Sequence, residues 1–98
     1  MKVTYHPEAE AELCDAARYY EERVPQLGGR FLDAANLAVE SIVRSPGLCR
    51  VVESDIRLCL MRKFPYAIYF RVFPDQIRIL AWKHHSRNPE YWKSRLLD

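Results

Sequence analysis

Cysteine is scarce in this chain of 98 residues, and the few thiols present show no pairing motif. Cys14, Cys49 and Cys59 are odd in number, and none of them belongs to a C-x-x-C sequence. A disulfide framework would therefore leave one thiol without a partner. We predict reduced, mostly buried thiols, as in proteins of a reducing compartment.

Long apolar runs are also absent. No stretch of 18 apolar residues occurs, so no membrane-spanning helix is expected. No apolar signal-peptide segment follows Met1 and Lys2. Repeats, linkers and low-complexity stretches are missing too, so residues 1–98 are expected to form one domain. The sequence predicts a small cytoplasmic protein without a membrane partner.

The net charge is only +2, but the charge is unevenly distributed. Residues 1–49 carry a net charge of −3, whereas residues 50–98 carry +5. A polyanion, or a partner with an acidic segment, would be attracted mainly to the C-terminal half. Each single cation is still compatible with a solvated strand position, so the clustering is the informative feature.

The N-terminal half has helical periodicity after a short strand. Met1–Tyr5 alternates apolar and polar residues, which predicts a strand. His6-Pro7 opens a helix, because proline suits the first turn. Glutamates near its start are favoured by the helix dipole: Glu8, Glu10 and Glu12. The apolar stripe recurs at spacings of three and four: Ala9, Leu13, Ala16, Ala17, Tyr20 and Val24.

A second helix should follow Pro25 and the Gly28-Gly29 pair, which predict a tight connection. Its main apolar stripe is Phe31, Ala34, Ala35, Ala38 and Ile42. Further apolar residues widen this arc: Leu32, Val39 and Val43. The width predicts packing on both the first helix and a sheet, and the short turn predicts an antiparallel hairpin. Ser45-Pro46-Gly47 ends the helix.

The C-terminal half changes to a period of two. Val51-Val52 is a candidate short strand, and three longer strands are predicted: Ile56–Phe64, Tyr66–Phe73 and Gln76–Lys83. The last of these has Ile77, Ile79 and Ala81 in alternation. Short turns between the strands predict an antiparallel meander. Tyr91 and Trp92 should dock a short terminal helix within residues 88–98.

These elements predict an α+β fold of order β-α-α-β-β-β(-β), with a helical hairpin on a small, mainly antiparallel sheet. The hairpin should cover one face of the sheet. The other face should be partly open and carry some of Arg57, Tyr69, Arg71, Arg78 and Trp82. Alternation does not decide which arginines face which way, because both faces contain apolar residues.

The ordered set of motifs resembles the RelE/ParE toxin superfamily across nearly the whole chain. "VTYHPEAEAEL" resembles its first strand and helix start, and "YYEERVPQLGGRFLDA" resembles its helix–turn–helix. "IRLCLMRKFPYAIYFRV" is the most characteristic piece, and "IRILAWKHHSRNPEYW" completes the pattern. The resemblance is closer to the ParE-like plasmid-stabilisation branch than to the ribosome-dependent nucleases.

The resemblance implies the toxin of a type II toxin–antitoxin system that arrests bacterial growth. Members of the ParE branch poison DNA gyrase, which requires a binding surface and no catalytic constellation. The alternative is a ribosome-dependent mRNA endonuclease of the RelE type. A non-toxic binding module derived from the fold is a third reading. A toxin homodimer and a larger toxin–antitoxin assembly are both compatible with the sequence.

Metal-independent RNA cleavage would need a base for the 2′-hydroxyl, an acid for the leaving oxygen and cations for the phosphate. The candidates for these roles are His84, His85, Arg57 and Arg62, with Lys63, Arg71, Arg78 and Lys83 as further cations. Tyr69 or Tyr91 would assist. A histidine at a strand end is more often structural. Adjacent strand residues point to opposite faces and no third ligand stands nearby, so neither a metal nor a cofactor is predicted.

For target or antitoxin binding, the candidates are the cations and aromatic residues of the C-terminal half: Arg57, Tyr69, Arg71, Arg78, Trp82, Arg87, Tyr91, Trp92, Lys93 and Arg95. The resemblance implies an antitoxin whose C-terminal segment is disordered until it wraps the toxin. Such a segment would place an amphipathic helix in the groove beside the helical hairpin and a strand or extended stretch across the exposed sheet edge. The wide apolar arc of the second helix and the positive charge suit an acidic, apolar partner.

Overall fold

The computed structural model describes residues 1–97, in which a helical hairpin packs on a five-stranded sheet. The helices are α1 (Pro7–Arg23) and α2 (Leu27–Arg44), and the strands are β1 (Lys2–Tyr5), β2 (Arg50–Glu53), β3 (Ile56–Leu60), β4 (Tyr66–Val72) and β5 (Gln76–His84). Short 3₁₀ helices span Pro46–Leu48 and Lys93–Leu97. The order across the sheet is β1-β5-β4-β3-β2. This arrangement confirms the predicted α+β fold.

Among the strand pairs of residues 1–97, one is parallel. β1 lies beside β5 in parallel register, and the other three pairs are antiparallel. Parallel strands need a long connection between them, and the helical hairpin with strands β2 to β4 provides one between β1 and β5. Neither α1 nor α2, the two long helices among residues 1–97, combines the length and apolarity needed to cross a membrane.

The connection between the two helices is shorter than predicted, because it does not include the glycine pair. α1 ends at Arg23 and α2 begins at Leu27, so Gly28 and Gly29 lie inside the first turn of α2 and not in the connection. Gln26 takes the left-handed conformation, with φ of 74°. The carboxylate of Glu21 accepts hydrogen bonds from the amides of Gln26 and Gly28, each at 3.0 Å. A side chain of α1 therefore caps the start of α2.

Gly28 allows the two helices to approach closely. A Cβ atom at Gly28 would lie 2.6 Å from the carbonyl oxygen of Ala17 in α1, whereas one at Gly29 would meet nothing within 4 Å. We expect Gly28→Ala to lower the free energy of unfolding by about 1–2 kcal/mol, because overpacking outweighs the better helix propensity of alanine. Gly29→Ala should instead stabilise the protein by up to about 1 kcal/mol. Urea unfolding of both variants checks this, and equal signs would contradict the close approach.

A β-bulge in β5 reverses the alternation of its side chains. Tyr69 pairs with Ala81 and Phe70 pairs with Ile79, so Leu80 is an extra residue in the ladder. Ile77 and Ile79 pack on the helix side, but both Leu80 and Ala81 pack on the opposite face. After the bulge, Trp82 returns to the helix side. The uninterrupted alternation predicted through Ala81 is therefore wrong.

Both faces of the sheet bear a core. The helix-side core includes Phe31, Ile68, Phe70, Ile79 and Trp82. The core on the other face is formed by Ile56, Leu58, Ala67, Tyr69, Leu80, Ala81 and Trp92, with Tyr91 and Leu96 packed against it. The C-terminal segment thus crosses the middle of the face that was expected to be open. The predicted docking of this segment by Trp92 is confirmed.

Candidate functional site

An open groove of about 910 Å³ runs between α2 and the segment that follows β3. One wall is a face of α2: Leu27, Arg30, Asp33, Ala34, Leu37, Ala38, Ser41 and Arg44. Their spacings of three and four place them in one stripe along the helix. The opposite wall is formed by residues 59–64. We call this feature the α2–β3 groove.

The α2–β3 groove combines exposed apolar side chains with a cationic rim. Leu37 is 65% exposed and Leu60 is 61% exposed, although both are large aliphatic residues. The rim carries four cations and one carboxylate: Arg30, Arg44, Arg62, Lys63 and Asp33. Among the described ion pairs of residues 1–97, none involves these four cations. The groove therefore presents a net positive charge around an apolar floor.

The groove borders an unpaired stretch of sheet edge. β2 pairs with β3 only from Ile56 to Leu58, so the ladder stops before Leu60. The amide of Met61 donates to the carbonyl of Tyr66 at 2.9 Å and thus points toward β4. Because neighbouring residues in an antiparallel ladder point to opposite sides, the backbone groups of Leu60 point outward. An added strand would find hydrogen-bonding groups there.

The predicted aromatic anchors lie in the two cores. Trp82 is 2% exposed on the helix side, because the bulge turns it inward. Tyr69 and Trp92 are 7% and 2% exposed, and their rings stack on the other face with centroids 4.9 Å apart. Of the residues of which some were expected on a partly open face, Tyr69 is covered by the C-terminal segment and Trp82 lies on the helix side. These three rings hold the fold together and offer little surface to a partner.

Arg95 is buried in a network centred on Glu12 of α1. Arg95 Nη1 and Nη2 donate to the two carboxylate oxygens of Glu12, each at 2.9 Å. Tyr91 donates its hydroxyl to Glu12 at 2.7 Å, and the backbone amide of Trp82 donates at 3.1 Å. Arg95 Nη1 also donates to the carbonyl oxygen of Leu80 at 2.9 Å. The network satisfies backbone groups of β5 beyond the end of β1.

The network shifts the pKa values of Glu12 and Tyr91. Burial alone would raise the pKa of Glu12, but hydrogen bonds from Arg95, Tyr91 and Trp82 outweigh it and hold that pKa below its ordinary value. The pKa of Tyr91 is strongly raised, by burial first and then by its hydrogen bond to the Glu12 carboxylate. Glu12 is therefore ionised and Tyr91 protonated at neutral pH. Arg95 acts here as a structural cation.

The other predicted binding cations have varied surroundings. Lys93 pairs with Glu53 at 2.7 Å and with Glu90 at 2.9 Å. Arg71 pairs with Asp55 at 3.0 Å, and Arg78 donates to the Thr4 hydroxyl at 3.5 Å. The Arg87 side chain is 54% exposed, and its guanidinium stacks 3.8 Å from the centroid of the Tyr91 ring. Of these four cationic side chains, that of Arg87 is the most exposed to solvent.

Two of the residues named for nuclease chemistry, His84 and Arg57, lie far apart along the sheet. His84 pairs with Tyr66 and Arg57 pairs with Phe70, so the two rows are separated by about 13 Å along β4. The Arg57 guanidinium donates to the carbonyl oxygen of Cys49 at 2.7 Å. His84 Nδ1 lies 2.7 Å from the Ser86 hydroxyl. His85 is exposed, and its amide donates to the carbonyl of Pro65 at 2.9 Å, in the loop that also carries the exposed Arg62. Lys63 is exposed on the groove rim, and Lys83 is buried with its amine donating to the carbonyl of His84 at 3.1 Å.

The sequence placed an antitoxin helix in a groove beside the helical hairpin without naming the residues that line it, and it gave no sign of the Glu12 network. Leu37 was the available signal for the groove, because it extends the apolar arc of α2 away from its core stripe. For Glu12, the acidic start of α1 suggested only a helix-dipole role, and its partner Arg95 lies 83 residues away.

The family model for the ParE toxin of the type II toxin-antitoxin system, parDE, matches residues 3–89. The chain belongs to the ParE toxin family. In this ParE-family chain, the match contains the whole groove and Glu12 but stops before Trp92 and Arg95. No curated protein gives a significant match by sequence.

A solved structure shares the fold of this ParE-family protein. It is described as the chromosomal ParDE TA system from P. aeruginosa, and the two chains are 19% identical with a TM-score of 0.76. The superposition covers 86% of this chain and 95% of the other. At this identity the likeness establishes the arrangement of helices and strands and leaves residue roles to the present geometry.

Proposed function

We propose that this ParE-family protein is the toxin of a type II pair and that a cognate antitoxin neutralises it by occupying the α2–β3 groove. The observation that carries the proposal is the groove itself, where exposed Leu37 and Leu60 lie inside a rim of four cations. An amphipathic helix with acidic flanks would bury the two leucines and neutralise the rim. An extended stretch of the same partner would pair with the outward backbone of Leu60.

The proposed target of the free toxin is DNA gyrase, bound as a protein and not cut as RNA. Resemblance to the ParE branch supports this target. The separation of His84 from Arg57 supports a binding mechanism, because general acid–base catalysis requires groups within hydrogen-bond reach of one substrate. Arg87, which is exposed, is the predicted C-terminal cation best placed to contact the target.

Induction of the protein without its antitoxin tests this mechanism, with His84→Ala as the diagnostic variant. We expect growth arrest with early loss of DNA replication and an SOS response, and inhibition of supercoiling by purified gyrase. His84→Ala should retain this toxicity at equal expression. A nuclease using His84 would instead lose at least about 100-fold in cleavage rate.

Two other outcomes would count against the gyrase target. Immediate loss of translation with codon-positioned mRNA cuts would support the RelE-type endonuclease. His85→Ala is the second variant for that case, because either histidine could serve as acid or base. Normal growth on induction would indicate a non-toxic binding module.

A further inference from the structure

Cys49 and Cys59 face each other at the end of the β2–β3 ladder. Arg50 pairs with Leu58 and Val51 pairs with Arg57, so the same register, extended by one residue, sets Cys49 opposite Cys59. The amide of Met61 points toward β4, and so does that of Cys59 two residues earlier. Cys49 and Cys59 therefore form a non-hydrogen-bonded pair, in which opposing side chains lie closest.

The geometry of this pair suits a disulfide. Cα atoms in a non-hydrogen-bonded pair lie about 4.5 Å apart, within the range of about 4.4–6.8 Å that disulfides span. The two thiols already interact, because burial and then the charge and hydrogen bonding of Cys49 raise the pKa of Cys59 to about 11. Both residues are half-buried and Cys14 is exposed, so the prediction of mostly buried thiols is wrong.

We propose that Cys49 and Cys59 are a site of reversible oxidation that closes to an intramolecular disulfide. A peroxide oxidises one thiol to a sulfenic acid, and its O–O bond is reduced with release of water or an alcohol. The other thiol attacks this sulfur, the S–S bond forms, and a second water leaves. Two electrons pass from the two sulfurs to one peroxide, and a dithiol reductant returns them.

The disulfide would change the wall of the α2–β3 groove. Cys59 lines the groove next to Leu60, and Cys49 follows the 3₁₀ helix Pro46–Leu48. Oxidation would attach the start of β2 to this wall and remove a thiol from it. Because thiols react as thiolates and the pKa of Cys59 is raised, the disulfide should form faster as pH rises above neutrality.

Hydrogen peroxide treatment of the full chain, followed by thiol titration and peptide mass spectrometry, tests the proposal. We expect loss of two of the three thiols, a mass decrease of about 2 Da and a Cys49–Cys59 cross-link. The midpoint of thermal unfolding should rise by about 10 °C and return after dithiothreitol. Cys14→Ser should form the same cross-link, because Cys14 lies outside the pair.

The serine variants complete the design. Cys49→Ser and Cys59→Ser should give no intramolecular cross-link, and the wild type and Cys14→Ser carry the test even if either of these folds poorly. Persistence of all thiols, disulfides that involve only Cys14 between two molecules, or overoxidation of Cys59 without a cross-link would each overturn the proposal. The result is independent of toxicity and of antitoxin binding.

Discussion

Glu12→Gln is expected to lower the free energy of unfolding by about 3 kcal/mol, the scale on which a buried ion pair fails when one partner is lost. The side chain of Arg95 is 4% exposed and that of Glu12 is 14% exposed, so water cannot replace the missing carboxylate oxygen. Glutamine keeps the volume but presents an amide donor to a guanidinium that stays charged. Within residues 1–97, the other carboxylate paired with Arg95 is that of Glu8, at 3.7 Å and 65% exposed.

The loss should appear as a fall of about 10–20 °C in the midpoint of thermal unfolding. Arg87→Ala is the matched control, because Arg87 contacts the same carboxylate at 3.4 Å from a position that is 54% exposed. Such exposed pairs contribute at most about 1 kcal/mol. Equal losses in the two variants would contradict the central place given to Glu12 and Arg95.

The same network gives stability a dependence on acid pH. The pKa of Glu12 is lowered in the folded state by Arg95, Tyr91 and Trp82, despite its burial. A carboxyl group of this kind contributes stability that is complete above its ordinary pKa of 4.5 and is lost as pH falls through the lowered pKa. The difference in stability between wild type and Glu12→Gln should therefore shrink below pH 4.5.

The predictable part of the fold was local. Pro7, the apolar stripes and the period-two segments identified both helices and the long strands, because each signal lies within one element. The bulge at Leu80 could not be predicted from such local signals. Leu80 and Ala81 are both apolar, so either residue could lie on either face of the sheet. One extra residue then exchanged the faces of Ala81 and Trp82, and the predicted aromatic surface became core.

The sequence predicted a cationic binding surface but not which cations form it. The surplus cations of the second half suggested a polar C-terminal contact. Lys93 instead forms ion pairs with Glu53 and Glu90, and Arg95 forms one with Glu12. Whether a cation is neutralised depends on contacts between distant elements, which periodicity does not contain. Four of the cations that form no ion pair within residues 1–97 lie on the groove rim, and two of these four, Arg30 and Arg44, come from the acidic half of the sequence.

Leu37→Glu is expected to weaken antitoxin binding at least about 100-fold, equivalent to about 2.7 kcal/mol. The substitution removes an aliphatic side chain whose burial would contribute about 1.5–3 kcal/mol, and it places a carboxylate opposite an acidic partner. Folding should be unaffected, because Leu37 is already 65% exposed on α2. The partner for titration calorimetry is the candidate antitoxin, to be sought as the product of a reading frame that adjoins this one.

Leu48→Glu separates a groove effect from a general effect of added negative charge. Leu48 is 87% exposed and lies outside the α2–β3 groove, so this variant should bind the antitoxin within about 3-fold of wild type. In cells, the antitoxin should rescue growth after induction of Leu48→Glu but not of Leu37→Glu, provided that the latter keeps its toxicity. Undiminished affinity of Leu37→Glu would indicate that the antitoxin binds another surface, because Leu37 lines the groove that its helix is proposed to fill.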